Sequence, residues 1–210
     1  MAQGYVITLH DPTADQRAVV KKYERTTKII SFDELRSKLF DAHSYLRTRA
    51  EKSFGSIYDH VKQSFDVSRG DFVEPTIVNS SLDSFSFNEI KEKIGSGENQ
   101  IFLADYGVGK SMLLREIFFS LYNDFRDSKS YKFPIAINLR DHLGQDDPIE
   151  LLERHARHNG QDPQKLVAAW SAGFADLLID GFDELSTRGW TGDHRKLREF
   201  RRSTHAILKN

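Results

Sequence analysis

The stretch NQIFLADYGVGKSMLLREIFFSLYNDF, residues 99–125, limits what this chain can fold into more than any other. It joins a short apolar run to a turn holding Gly107 and Gly109. Leu113, Leu114, Ile117, Phe118 and Leu121 then recur at helical spacing. A strand turning on glycines straight into an apolar helix belongs to a layered α/β architecture. Glycine lets the backbone turn and approach a ligand with no Cβ in the way. The unmatched amides and the dipole of the helix start attract an anion.

Within it, ADYGVGKS, residues 104–111, is close to the phosphate-binding pattern G-x-x-x-x-G-K-[ST]. The expected nucleotide-binding residues are Ala104, Asp105, Tyr106, Gly107, Val108, Gly109, Lys110, Ser111 and Met112. Lys110 would reach the outer phosphates, and the Ser111 hydroxyl would ligate magnesium. Ala104 replaces the pattern's first glycine. Alanine is comfortable there with a negative φ, so the expectation is an altered start to the loop and a retained site.

A second segment, LLIDGFDELS, residues 177–186, runs three apolar residues into Asp180. A carboxylate at the end of a buried strand is costly unless a cation needs it. Magnesium takes hard oxygen ligands, so Asp180 is expected to bind the ion directly or through water. Asp180 follows Lys110 by 70 residues. That interval holds the helix, strand, helices and strand that a doubly wound nucleotide domain requires.

The remaining chain supplies the frame. Residues 4–9 and 27–31 read as short strands, each followed by a helical pattern, which suggests parallel pairing. Ala18, Val19 and Tyr23 can share a helix face, and Ser31 with Glu34 has capping-box spacing. Residues 43–70 are polar, helix-compatible and free of strand signal, and read as a helical connector. DFVEPTIVN, residues 71–79, reads as extended, SFNEIKEKI as a short amphipathic helix, and FPIAINL as a strand. PIELLERHARH and DPQKLVAAWSAG read as helices, and ADLLID as the last strand. The predicted organisation is a small α/β segment at 1–42, the connector at 43–70, and an α/β nucleotide domain with a three-layer parallel sheet at 71–210.

The acids after Asp180 carry a family resemblance. Aspartate, glycine, apolar, aspartate, glutamate, with Gly181 directly after Asp180, resembles the NACHT clade of STAND signalling P-loop NTPases. The resemblance covers residues 72–210 and includes FLADYGVGKSMLLREI, FPIAINLRD and LLIDGFDEL. It implies that Asp183, with Glu184 as second candidate, positions or activates the attacking water as the catalytic carboxylate. It implies binding and slow hydrolysis of ATP or GTP with Mg2+, in a switch that forms a homo-oligomer when activated. In that family a later strand lies between the two motif strands. The chain extends about 25 residues past Glu184 with no such strand signal, so the sheet is expected to be incomplete, the chain to be part of a longer protein, and the fragment alone to bind nucleotide weakly.

Residues 4–40 resemble the closing strand–helix–strand–helix of Mrr-type restriction endonucleases. This implies a nuclease-like effector domain upstream, DNA as a partner through it, and a role in prokaryotic antiviral defence. No catalytic residue of that family is carried over. Glu89-Ile90-Lys91 is not a nuclease centre, because on a helix Glu89 and Lys91 point to different sides. His155 and His158 read as surface histidines, and Trp170 and Trp190 as packing residues.

Composition narrows the alternatives. The chain of 210 residues has a net charge of −1 and no cysteine. Disulfides and thiolate metal sites are excluded, and a cytoplasmic home fits. The basic run HRKLREFRR, residues 194–202, reads as a solvated helix face. No apolar run spans a bilayer, so no membrane partner is expected. A nucleic-acid-dependent motor fits poorly with near-neutral charge. A scaffold that binds nucleotide without hydrolysing it is the nearest alternative.

Overall fold

The computed structural model describes residues 4–54, 72–105, 107–142 and 147–181. The chain divides into two compact units, Met1–Ala42 and His43–Asn210.

In the first unit, β1 (Gly4–Thr8) and β2 (Thr27–Ser31) pair in parallel, with Val6 opposite Ile29. The connection is α1 (Ala14–Lys21), and α2 (Phe32–Leu39) follows β2. Thr13 caps α1 in a full capping box with Gln16. Ser31 caps α2 by accepting from the Glu34 amide at 3.2 Å, but the Glu34 carboxylate pairs with Lys38 at 2.8 Å. Half of the expected capping box therefore forms. The face expected from Ala18, Val19 and Tyr23 stays exposed. Ile30 of β2 is buried.

The second unit begins within α3 (Ala42–Ala50), at His43. Residues 43–70 were expected as a connector, yet Tyr45 and Leu46 are fully buried. A two-residue antiparallel hairpin follows, β3 (Ile77–Val78) with β4 (Ser84–Phe85). Next comes α4 (Phe87–Gly95), capped by Ser86 in a full capping box with Glu89. The Glu89 carboxylate accepts from the Ser86 amide and hydroxyl, both at 2.8 Å, so its role is structural. Those bonds hold its pKa below the ordinary value.

The long helix α5 (Lys110–Arg126) buries Leu113, Ile117, Phe118, Leu121 and Phe125. It packs on β5 (Phe133–Asn138) and β6 (Ala175–Asp180). These two strands pair in parallel from Phe133 opposite Ala175 to Asn138 opposite Asp180. Between them run a short 3-10 helix (Leu139–His142), α6 (Pro148–His158) and α7 (Pro163–Ser171). Asp147 and Asp162 cap α6 and α7, each followed by a proline at the first helical position. Ile135, Ile137, Leu152 and Leu166 form the centre of the core. Each contributes about 1.5–3 kcal/mol by leaving water.

The structure is thus mixed α/β with short parallel strand pairs. The strand expected at residues 99–103 does not form. Ile101 and Leu103 are 67% and 89% exposed, because no described strand lies beside them to complete a ladder. A lone apolar run has no backbone partners and stays irregular.

Candidate functional site at the start of α5

The glycine-rich turn is where two glycines adopt conformations closed to other residues. Gly107 has φ +84° and Gly109 φ +97°. Gly109 is the N-cap of α5 and has no side-chain capping bond. Its carbonyl accepts from the Leu113 amide at 2.9 Å, which starts the helix. The amides of Lys110, Ser111 and Met112 are those an α-helix leaves without intrahelical partners. Ala104 and Asp105 are outside the left-handed region, as an alanine at the first position needs.

Lys110 folds back over the turn. Its Nζ donates to the Ala104 carbonyl at 2.7 Å and the Asp105 carbonyl at 3.0 Å. The ammonium is thus held across the loop by two neutral acceptors. Ser111 and Met112 are half-buried in the first turn of α5, and Val108 is exposed. Tyr106 lies outside the described residues.

Asp180 ends β6, half-buried. Its Oδ1 accepts from the Gly181 amide at 2.9 Å. Gly181 has φ +86°, and an added Cβ would lie 3.4 Å from Asn138 Oδ1. The backbone itself therefore requires glycine after Asp180. Asp183 and Glu184, the expected catalytic carboxylates, lie outside the described residues, as do Trp190 and residues 194–202.

Sequence reasoning missed the groups nearest the far end of β5. Asn138 stands opposite Asp180 in the strand register. Arg49 of α3 is 4% exposed and donates through Nε to the Ala136 carbonyl at 2.7 Å. Its guanidinium lies 4.0 Å from the centre of the Phe54 ring. Burial lowers its pKa from the ordinary value, while Tyr45, Asp141 and Asp180 act to raise it. A single arginine in a polar stretch gave no sequence signal for this.

His155 corrects an expectation: it is buried at 4% exposure, although His158 is on the surface. The Ala136 amide donates to the Tyr45 hydroxyl at 3.2 Å, and the hydroxyl shares a hydrogen bond with His155 Nε2 at 2.9 Å. Burial holds the His155 pKa well below its ordinary value, with Arg49 acting in the same direction. Trp170 is half-buried on α7.

Among the described residues no cluster of three His, Asp or Glu side chains could hold a metal ion. Ser111 and Asp180 remain as hard oxygen donors of the type magnesium accepts. Among the described residues no helix is long and apolar enough to cross a membrane. No family model, curated protein or solved structure matches this chain.

Proposed function

We propose that the chain binds ATP or GTP with Mg2+ at the start of α5, as the nucleotide-binding part of a NACHT-type P-loop switch. The observation that carries this reading is the pair of left-handed glycines, Gly107 and Gly109, set directly before a helix whose first residue is Lys110. That arrangement offers helix-start amides, a helix dipole and an ammonium to one anion. The parallel pair β5–β6, with Asp180 at its C-terminal end, supports the fold this reading needs. The three-layer P-loop sheet belongs to the same proposal.

Ser111 and Asp180 would hold the magnesium, which when bound would neutralise charge on the phosphate oxygens. Asp183, with Glu184 second, would orient the water for slow hydrolysis. By the same reading the protein works in the cytoplasm, oligomerises when activated, and controls a nuclease-like effector acting on DNA in prokaryotic defence. Calorimetric titration with MgATP and MgGTP tests the core of it. Saturable binding that Lys110→Ala removes, with an unchanged far-UV spectrum, is the expected result. Equal binding by the variant overturns it.

A further inference from the structure

A cavity of about 240 Å3 lies between the end of α3, the end of β5 and α6. Arg49, Lys52, His142, His155, His158 and Asn159 line it, and Asp141 is the one carboxylate among the described residues of its walls. The wall is therefore cationic on balance. Arg49 is buried, and its Nε and Nη1 donate to the carbonyls of Ala136, Lys52 and Ser53, all neutral acceptors that leave its charge unbalanced. Lys52 Nζ donates to the His158 carbonyl, which occupies one of its three donors.

Among the described residues, two buried atoms in this wall have no partner. They are His142 Nδ1 and Asn159 Oδ1, on side chains 3% and 4% exposed. The amide of Asn159 is not free to flip, because its Nδ2 donates to the His155 carbonyl at 2.8 Å. The unmatched atom is therefore an oxygen, which needs a donor. Leaving buried polar atoms unmatched is costly, so the cavity is built for a polar occupant. The three imidazoles stand close together, with His142 centred 5.6 Å from His155 and 5.3 Å from His158.

We propose that this cavity is a second ligand site that takes hydrogen phosphate, a tetrahedral anion carrying one proton. Arg49 and Lys52 meet its charge. Its P–OH supplies the donor that Asn159 Oδ1 lacks, and its other oxygens accept from the imidazoles. Sulfate has the same shape and charge but no proton near neutral pH, so it leaves Asn159 unmatched. Asn138, which stands opposite Asp180 in the strand register, also lines the cavity, so the test includes a variant of the glycine turn.

The decisive experiment is titration of the full chain with inorganic phosphate and, separately, with sodium sulfate at constant ionic strength. The readout is the histidine ring signals by NMR. Saturable shifts of His142 and His158 with phosphate are expected, with sulfate weaker by about tenfold. Lys52→Met should weaken phosphate by about tenfold, and His142→Phe should remove the shifts by filling the space. Lys110→Ala should leave them unchanged. If His142→Phe does not fold, Lys52→Met decides. Absence of saturable shifts in the folded chain overturns the proposal and leaves the cavity to ordered water. Equal responses to phosphate and sulfate also overturn it. Loss of the shifts in Lys110→Ala would place the anion at the glycine turn instead.

Discussion

Lys110 Nζ lies 2.7 Å from the carbonyl oxygen of Ala104, so the helix's first side chain reaches back to the first residue of its own loop. A neutral carbonyl is a weaker partner for an ammonium than a phosphate oxygen. On nucleotide binding the lysine should exchange one for the other. Lys110→Ala should abolish MgATP binding while the melting transition stays cooperative. Lys110→Arg, longer and planar, should recover little of it. Calorimetry on the three proteins checks this.

Two glycines should respond to alanine with opposite signs. Gly109 holds φ +97°, which costs an L-residue about 1–2 kcal/mol, so Gly109→Ala should destabilise by that amount. Gly95 ends α4, is outside the left-handed region, and has open space around it. Gly95→Ala should stabilise by about 0.5–1 kcal/mol. Urea midpoints at unchanged slope measure both.

The two aspartates assigned to the nucleotide site should separate under substitution. Asp180→Asn should weaken the magnesium-dependent part of nucleotide binding. Asp183→Asn should leave binding intact and slow hydrolysis by about 10-fold to 1000-fold if it orients the water. Binding with and without magnesium, together with single-turnover hydrolysis, distinguishes them. Equal loss of binding in both would reverse the assignment, and absence of turnover in the unsubstituted protein would favour a scaffold that does not hydrolyse.

The Tyr45 hydroxyl joins the Ala136 amide to His155. Tyr45→Phe keeps the ring but leaves a buried amide and an imidazole nitrogen without that partner. The expected loss is about 1–3 kcal/mol, read by urea denaturation. A loss near zero would mean that water takes over both bonds.

Acid should weaken the second unit before most carboxylates titrate. Burial lowers the His142 pKa to about 4, with His158 and Arg154 acting the same way and Asp141 against it. His155 is held well below its ordinary value by burial, Arg49, Lys52 and the neighbouring histidines. An unfolded histidine titrates near 6.5, so between there and 4 the unfolded state binds more protons. Stability is full above that window and falls as pH drops through it, by about 1.4 kcal/mol per pH unit for each imidazole. Denaturation at several pH values should show the slope. His142→Gln should remove part of it.

The sequence by itself determined the features whose causes are local. The turn at Gly107 and Gly109 follows from a backbone conformation that only glycine adopts readily. The starts of α1, α2 and α4 follow from Thr13, Ser31 and Ser86, whose side chains bond amides three residues on. The apolar run ending in Asp180 became β6 with the bounds its pattern suggests. Tertiary structure alone decided the rest, because the reasons lie across the chain. Residues 101–103 carry a strand's side chains, but a strand exists only when a neighbour completes its hydrogen bonds. The stretch around Tyr45 reads as polar, yet Tyr45 is buried because Phe133 and His155 close over it, with ring centres 6.1 and 5.8 Å away. His155 and His158 look alike at three residues' spacing. One is buried and the other exposed because the helix turns only one of them toward α3. The cationic cavity has no sequence signature at all, since it is assembled from residues as far apart as Arg49 and Asn159.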